Sequence, residues 1–117
     1  AHAISDALLG AVRGGDIGKL FPDTDPAYKD ADSLKLLAEV ARFVRERGFE
    51  IIDVDSVIAA QAPKLSPYRE AMRENLAAAM GVPVENVGVK ATTTEHLGHE
   101  GREEGITAYA TCLVCRI

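Results

Sequence analysis

The sequence predicts an α/β fold, an α+β two-layer sandwich in which helices cover a small, mainly mixed sheet. Segments with helical spacing of apolar residues are interspersed with β-branched segments in the order α, loop, α, β, α, β, loop, β. The last strand segment is mostly apolar on both faces, so we expect both to be covered, and a subunit interface is one such cover. The length of 117 residues predicts a single domain, 1–117.

Glycines and capping residues bound the predicted helices. The first helix has apolar residues at helical spacing and ends before two consecutive glycines. The second begins at Asp32 or Ser33, either of which can cap it, and ends at Gly48. The third begins at Ser66, with proline at the first helical position, and ends at Gly81.

β-Branched composition and alternation predict three strands, over 49–61, 87–92 and 106–117. The segment 21–31 contains two prolines and three aspartates, which is typical of an ordered loop. The segment 93–105 is rich in glycine and charge and is predicted to be a polar loop.

Composition and charge restrict the class of protein. A hydrophobic fraction of 47% excludes a disordered chain, and no apolar run reaches membrane-spanning length. The net charge of −5 argues against non-specific nucleic-acid binding, so we expect neither nucleic acid nor a membrane as a partner. The two cysteines lack a disulfide framework, which favours reduced thiols in the cytosol. Because the chain starts at Ala1 inside a helical pattern, we expect that an N-terminal segment is missing.

His2 and Asp6 are four residues apart and therefore share one face of the first helix. An imidazole close to several carboxylates suits a divalent cation, but a histidine in such a helix is more often a packed or surface residue. Zinc normally needs at least three protein ligands, and the sequence contains no clear set.

The aspartates at 16, 23 and 25 lie among turn-forming residues. They form either a turn with solvated carboxylates or the rim of a polyol site, in which Gly18 allows close approach of the backbone. The residue chemistry leaves both interpretations open.

Two segments follow strands, at the position where open α/β sheets bind ligands. Backbone groups of 60–66 could read the edge of a base, and Lys64 could contact a phosphate. The three threonines at 92–94 could hold phosphate oxygens, and Glu95 could bind a cation. Each segment could equally be a plain connection.

The remaining candidate ligands are two histidines and two cysteines. His96 and His99 could form a metal pair, but a mobile polar loop is the favoured interpretation. Cys112 and Cys115 are three residues apart in a strand and point to opposite faces, so they cannot coordinate the same metal ion. We expect them to be buried, inert thiols.

Several strings occur in a fixed order over nearly the whole chain. They are H-A with D-A-L-L-G (2–10), G-D-I-G-K-L-F-P-D-T-D (15–25), A-Q-A-P-K (60–64), V-K-A-T-T-T-E (89–95) and G-R with E-G-I (101–106). Without any shift in spacing, this set resembles the 2-C-methyl-D-erythritol 2,4-cyclodiphosphate synthase family of the non-mevalonate isoprenoid pathway.

The resemblance implies a lyase that converts 4-diphosphocytidyl-2-C-methyl-D-erythritol 2-phosphate into 2-C-methyl-D-erythritol 2,4-cyclodiphosphate and CMP. It implies a homotrimer with sheets facing the central axis and active sites between subunits. The expected location is the cytoplasm, or the plastid stroma in a plastid-bearing organism. The alternative is a non-catalytic, trimeric CMP-binding module or an inactive fragment.

The resemblance also implies roles for single residues. His2 would be the third ligand of a zinc-type site whose other ligands lie in the missing segment, Glu95 would bind magnesium or manganese, and Thr93 and Asp16 would be catalytic. The methylerythritol phosphate would contact Asp16, Ile17, Gly18, Phe21, Pro22, Asp23, Thr24 and Asp25. Cytosine would be recognised, from the adjoining subunit, by Ala60, Gln61, Ala62, Pro63, Lys64, Leu65 and Ser66.

The last set of implied substrate-binding residues lies at the second strand end and beyond it. It comprises Thr92, Thr93, Thr94, Glu95, His99 and Arg102. His99 stands where the family commonly has an aromatic residue, and Arg102 matches a residue that lines the central cavity of the trimer in relatives.

Overall fold

The computed structural model describes residues 1–20 and 32–117. Two short 3₁₀ turns, Ser66–Tyr68 and Val84–Asn86, precede a helix and a strand. The helices and strands are, in chain order, α1 (His2–Ala11), α2 (Ile17–Leu20), α3 (Ser33–Glu46), β1 (Phe49–Ala59), α4 (Arg69–Met80), β2 (Val87–Thr92), α5 (Gly98–Gly101) and β3 (Thr107–Arg116).

The helix boundaries follow local chemistry. The Asp32 carboxylate accepts the Leu34 N–H at 2.8 Å and so caps the start of α3. Gly48 and Gly81 follow α3 and α4 with φ of 87° and 69°, a left-handed conformation that glycine adopts without steric cost. The predicted starts and ends of these two helices are therefore confirmed to within a few residues.

The sheet has the strand order β2-β1-β3. The central strand β1 is parallel to β2, with Ala59 opposite Thr92, and antiparallel to β3, with Phe49 opposite Arg116. The predicted mixed sheet is thus confirmed. Because parallel strands end at the same edge, the chain leaves β1 and β2 side by side.

Helices α1, α3 and α4 pack against one face of the sheet. The core between the two layers contains fully buried Leu8, Leu37, Val54 and Met80. The opposite face carries apolar side chains in the open. Tyr109 and Leu113 of β3 are 62% and 59% exposed, and Ile52 of β1 is 40% exposed. We expected both faces of the sheet to be covered. Within this single chain, the helices cover one of them.

Some predictions differ from the structure. The predicted polar loop 93–105 contains the short helix α5, and the first predicted strand ends at Ala59 rather than at residue 61. Cys112 is partly buried, but the prediction of a buried Cys115 is wrong, because alternation along β3 leaves that residue exposed. The predicted loop 21–31 lies outside the described residues. None of the described helices is both long and apolar enough to cross a membrane.

Candidate functional site

A cleft of about 310 Å³ lies at the edge of the sheet where β1 and β2 end. The N–H of Ala60 donates to the carbonyl of Thr92 at 3.0 Å, so the parallel pairing continues one residue beyond β1. The two segments that follow the strands therefore diverge from a common base and form opposite walls. The cleft is lined by Ala60, Gln61, Pro63, Lys64, Leu65, Ser66, Ala91, Thr92 and Thr93.

The first wall is the segment 60–66, which joins β1 to the turn before α4. Small and apolar side chains dominate it, and Lys64 adds an exposed cationic side chain. The N–H of Tyr68 donates to the Leu65 carbonyl at 2.9 Å, which closes the 3₁₀ turn at the end of this wall. Apolar surface with nearby backbone polar groups suits a flat heterocycle, and the ammonium group suits a phosphate.

The second wall is the threonine-rich segment that begins at Thr92. The Thr93 hydroxyl oxygen accepts the N–H of Glu95 at 3.3 Å, and the Leu97 N–H donates to the Thr94 carbonyl at 3.1 Å. These bonds fold residues 93–97 into a turn, which we call the 93–97 turn. Glu95 and His96 occupy left-handed conformations within it, with φ of 53° and 64°.

One side chain joins the two walls. The Gln61 side-chain carbonyl accepts the backbone N–H of His96 at 3.0 Å. Behind the 93–97 turn, Gly101 of α5 approaches so closely that a Cβ there would lie 2.2 Å from the carbonyl carbon of His96. Sequence reasoning missed this role of Gly101, although a glycine inside a predicted loop was a visible signal.

A hydrogen-bonded cluster lies beyond the turn. The Thr107 hydroxyl donates to Glu100 at 2.8 Å, and the His99 ring nitrogens lie 3.2 Å from Thr107 and 3.3 Å from Glu100. The hydrogen bond from Thr107, together with a backbone N–H, lowers the pKa of Glu100. Arg102 pairs with Glu104 at 2.6 Å. Thus the structure brings His99 to Glu100 and Thr107, whereas the His96 backbone contacts Gln61.

His2 and Asp6 lie on one face of α1, as predicted, with 3.3 Å between Nε2 and the carboxylate. The His2 side chain is 71% exposed, and it is not among the residues that line the cleft. Within 1–20 and 32–117, no group of three His, Cys, Asp or Glu side chains is placed to hold a metal ion. The described residues thus fit one imidazole ligand of a zinc-type site, not a complete site.

The predicted methylerythritol-binding residues are described only in part. The Asp16 carboxylate accepts the Lys19 N–H at 2.8 Å and caps α2, which explains why a helical turn follows the glycine pair. Gly18 lies within that turn. The predicted contacts at Phe21, Pro22, Asp23, Thr24 and Asp25 lie outside the described residues.

The sequence and the fold both match known proteins. The family model of the YgbB family matches residues 1–115. A 2-C-methyl-D-erythritol 2,4-cyclodiphosphate synthase of Thioalkalivibrio sulfidiphilus is 59% identical over 113 residues, which cover 97% of this chain and 71% of that protein.

Solved structures agree. The bifunctional IspDF of Campylobacter jejuni is 43% identical with a TM-score of 0.94, and the match covers 99% of this chain and 31% of that one. A 2C-methyl-D-erythritol-2,4-cyclodiphosphate synthase in a CDP-bound form is 37% identical with a TM-score of 0.88, and the match covers 97% of this chain and 73% of that one. Since the family model spans nearly every residue and the fold agrees, the chain belongs to the YgbB family.

Proposed function

We propose that the chain is a 2-C-methyl-D-erythritol 2,4-cyclodiphosphate synthase, a lyase of non-mevalonate isoprenoid biosynthesis. It converts 4-diphosphocytidyl-2-C-methyl-D-erythritol 2-phosphate into the 2,4-cyclodiphosphate and CMP. The observation that carries the proposal is a cleft of suitable chemistry at the ends of β1 and β2, in a chain 59% identical over 113 residues to an enzyme of that name. The cytoplasmic location stays a prediction.

The cytidine arm of the substrate binds against the first wall of the cleft, the segment 60–66. A relative that has been solved with CDP bound supports a nucleotide site in this fold. The apolar wall offers a surface for the base, while backbone N–H and C=O groups read its edge. Lys64 meets a phosphate of the same arm.

The diphosphate binds against the second wall, where the three threonines 92–94 end β2 and begin the turn. The Thr92 and Thr94 hydroxyls donate to the carbonyls of Thr93 and Leu97. The Thr93 oxygen instead accepts the Glu95 N–H, which leaves the Thr93 hydroxyl proton for a phosphate oxygen. We therefore assign Thr93 the role of donating to the charge that develops on the reacting phosphate. Glu95, in the same turn, is the carboxylate closest in sequence to these hydroxyls.

The methylerythritol phosphate binds to Asp16, Gly18 and the segment 21–25. One Asp16 oxygen caps α2, which fixes the carboxylate so that its other oxygen can accept from a substrate hydroxyl. When bound, divalent cations at His2 (zinc type) and Glu95 (magnesium or manganese) offset the charge of the phosphates. The further ligands that the His2 site needs come from outside the described residues.

The reaction is an intramolecular phosphoryl transfer. An oxygen of the 2-phosphate forms a bond to the β-phosphorus, and the bond from that phosphorus to the oxygen it shares with the α-phosphate breaks. CMP leaves with that oxygen, and the two phosphates close into a ring. The nucleophile is already ionised, so the chain needs no strong base. Its residues hold both ends of the substrate in place, which is where the barrier lies.

The enzyme works as a homotrimer whose sheets face the central axis. The exposed apolar face around Tyr109 and Leu113 supports this, because monomeric proteins rarely leave such a face in water. Sites between subunits also bring His2 of one copy to the cleft of its neighbour, which matches the absence of His2 from the cleft lining within one chain.

The test is turnover by the protein as its gene encodes it, with CMP release and the cyclic diphosphate followed by phosphorus NMR. Replacing His2 (His2→Ala) should cut zinc occupancy and turnover while cytidine affinity stays nearly unchanged. Replacing Lys64 (Lys64→Ala) should weaken nucleotide binding. CMP binding with neither zinc uptake nor CMP release would instead identify a non-catalytic binding module and overturn the proposal.

A further inference from the structure

We propose that Gln61 is a positioning residue, whose side-chain carbonyl fixes the 93–97 turn against the opposite wall of the cleft. Binding of the cytidine arm to the first wall is then coupled to the placement of Thr93 and Glu95. This inference rests on the proposed function for its catalytic readout only. Its structural content, one hydrogen bond between two walls, stands on the geometry alone.

The hydrogen bond joins residues that are distant in sequence. Gln61 and His96 are 35 positions apart, and the Gln61 oxygen lies 3.0 Å from the His96 nitrogen. At the base of the cleft the walls are linked by the backbone bond between Ala60 and Thr92. The Gln61 bond is a second link, farther from the sheet. Two hydrogen bonds at different distances from the sheet fix the angle between the walls. With the bond between Ala60 and Thr92 alone, the walls could rotate about that bond.

The turn needs external support because of its backbone. Glu95 and His96 are consecutive residues with positive φ, and left-handed conformations cost free energy in residues other than glycine. The Thr93 and Thr94 bonds act inside the turn and do not fix its orientation relative to β1. Gly101 supports the turn from behind, and Gln61 supports it from the side of the cleft.

The chemistry of the bond selects the test variants. The Gln61 carbonyl oxygen accepts, so Gln61→Glu keeps an acceptor at the same reach. Gln61→Met keeps the length and apolar stem but offers no comparable acceptor. The pair therefore separates the hydrogen bond from the bulk of the side chain.

The first readout is hydrogen exchange of the His96 amide, measured by NMR on the intact protein without ligand. We expect Gln61→Met to lower its protection at least about fivefold, the size of one hydrogen bond, and Gln61→Glu to retain it. The amide of Leu97, bonded within the turn to Thr94, serves as the internal reference. Unchanged protection in the methionine variant overturns the inference.

The second readout is kinetic. We expect kcat to fall about 10- to 100-fold in Gln61→Met, because the reacting groups are misplaced, with a much smaller change in KM. The loss of kcat should be smaller in Gln61→Glu, which keeps the acceptor although it adds a charge near the phosphates. A rise in KM with kcat intact in both variants would instead assign Gln61 a direct substrate contact, and the inference would fail.

The third readout does not depend on turnover, so it separates this inference from the proposed function. In calorimetry with magnesium, Gln61→Met should weaken CDP binding more than CMP binding, since only the β-phosphate of CDP extends along the turn. Equal losses for CDP and CMP would overturn the inference. If the parent protein has no turnover but Gln61→Met still weakens CDP binding more than CMP binding, the proposed function fails while the role of Gln61 holds.

Discussion

The guanidinium group of Arg73 on α4 donates to the carbonyl oxygen of Val87 at 2.8 Å and thereby ties α4 to the first residue of β2. A second nitrogen donates to the Val84 carbonyl at 3.0 Å, and a third bonds to Glu70. The Arg73 side chain is 25% exposed, so these bonds are partly shielded from water. Arg73 thus fixes the start of the strand whose other end carries Thr92.

Replacing Arg73 by methionine (Arg73→Met) should lower the free energy of unfolding by about 2 kcal/mol, since it removes charged donors from two partly buried carbonyls. Urea denaturation at fixed protein concentration measures this. The control is Arg69→Met, because Arg69 is 53% exposed and lies 3.9 Å from Glu70. Its effect should stay within about 0.5 kcal/mol. Equal losses in the two variants would contradict this role of Arg73.

Adding one methyl group at Gly101 (Gly101→Ala) should destabilise the protein by about 1–3 kcal/mol, because the new Cβ meets the His96 backbone rather than a side chain that can move. Turnover should fall as the 93–97 turn shifts. Thermal denaturation and kcat provide the two measurements.

The matched control for this change is Gly10→Ala in α1, where an added Cβ meets nothing within 4 Å. Alanine should raise stability there by about 0.5–1 kcal/mol through helix propensity. If Gly101→Ala proved as harmless as Gly10→Ala, the close approach of α5 to the turn would be wrong.

A charge on the open face of the sheet should dissociate the proposed homotrimer. In Leu113→Asp, a carboxylate would have to be buried between subunits, so we expect monomers that stay folded and lack turnover. Light scattering during size-exclusion chromatography gives the mass, and circular dichroism gives the fold. Ala38→Asp, on the exposed outer side of α3, is the control and should remain trimeric. A trimeric Leu113→Asp variant would contradict the proposed packing.

The Thr107–Glu100 hydrogen bond predicts a dependence of stability on pH. Because the pKa of Glu100 is lowered from its ordinary 4.5, the ionised form stabilises the folded protein. This contribution is complete above pH 4.5 and is lost as the pH falls through the lowered value. Thr107→Val should therefore be less stable than the parent at neutral pH, and the difference should shrink in acid.

Urea denaturation at several pH values tests this dependence, with Thr111→Val on the same strand as the control. A difference between Thr107→Val and the parent that stays constant from neutral to acid pH would show that the hydroxyl contributes by packing and not through the Glu100 carboxylate.

Local chemistry made much of the fold predictable. Asp32, Gly48 and Gly81 mark helix ends through their own backbone preferences, so their effect needs no knowledge of the tertiary structure. In β3 the residues at both the even and the odd positions are mostly apolar, and this likewise predicts two apolar faces. By contrast, α5 has four residues and two glycines, too few apolar positions for a helical period to be recognised.

The candidate site was predictable as two separate segments, but not as a single cleft. That 60–66 and 92–95 both follow strands is readable from the sequence, whereas their adjacency depends on the parallel register that places Ala59 opposite Thr92. The bond between Gln61 and His96 is a contact across 35 positions, and no local pattern encodes it. Cys115 was wrongly predicted to be buried. The packing of the helices decides which face of β3 is covered, and the local sequence does not show it.

The uncovered side of the sheet has a consequence for how the protein is handled. If catalysis needs ligands and walls from different copies, the rate per chain is a function of concentration, and samples diluted for sensitive assays lose activity before they lose structure. Specific activity measured over a dilution series would then report the dissociation constant of the assembly directly.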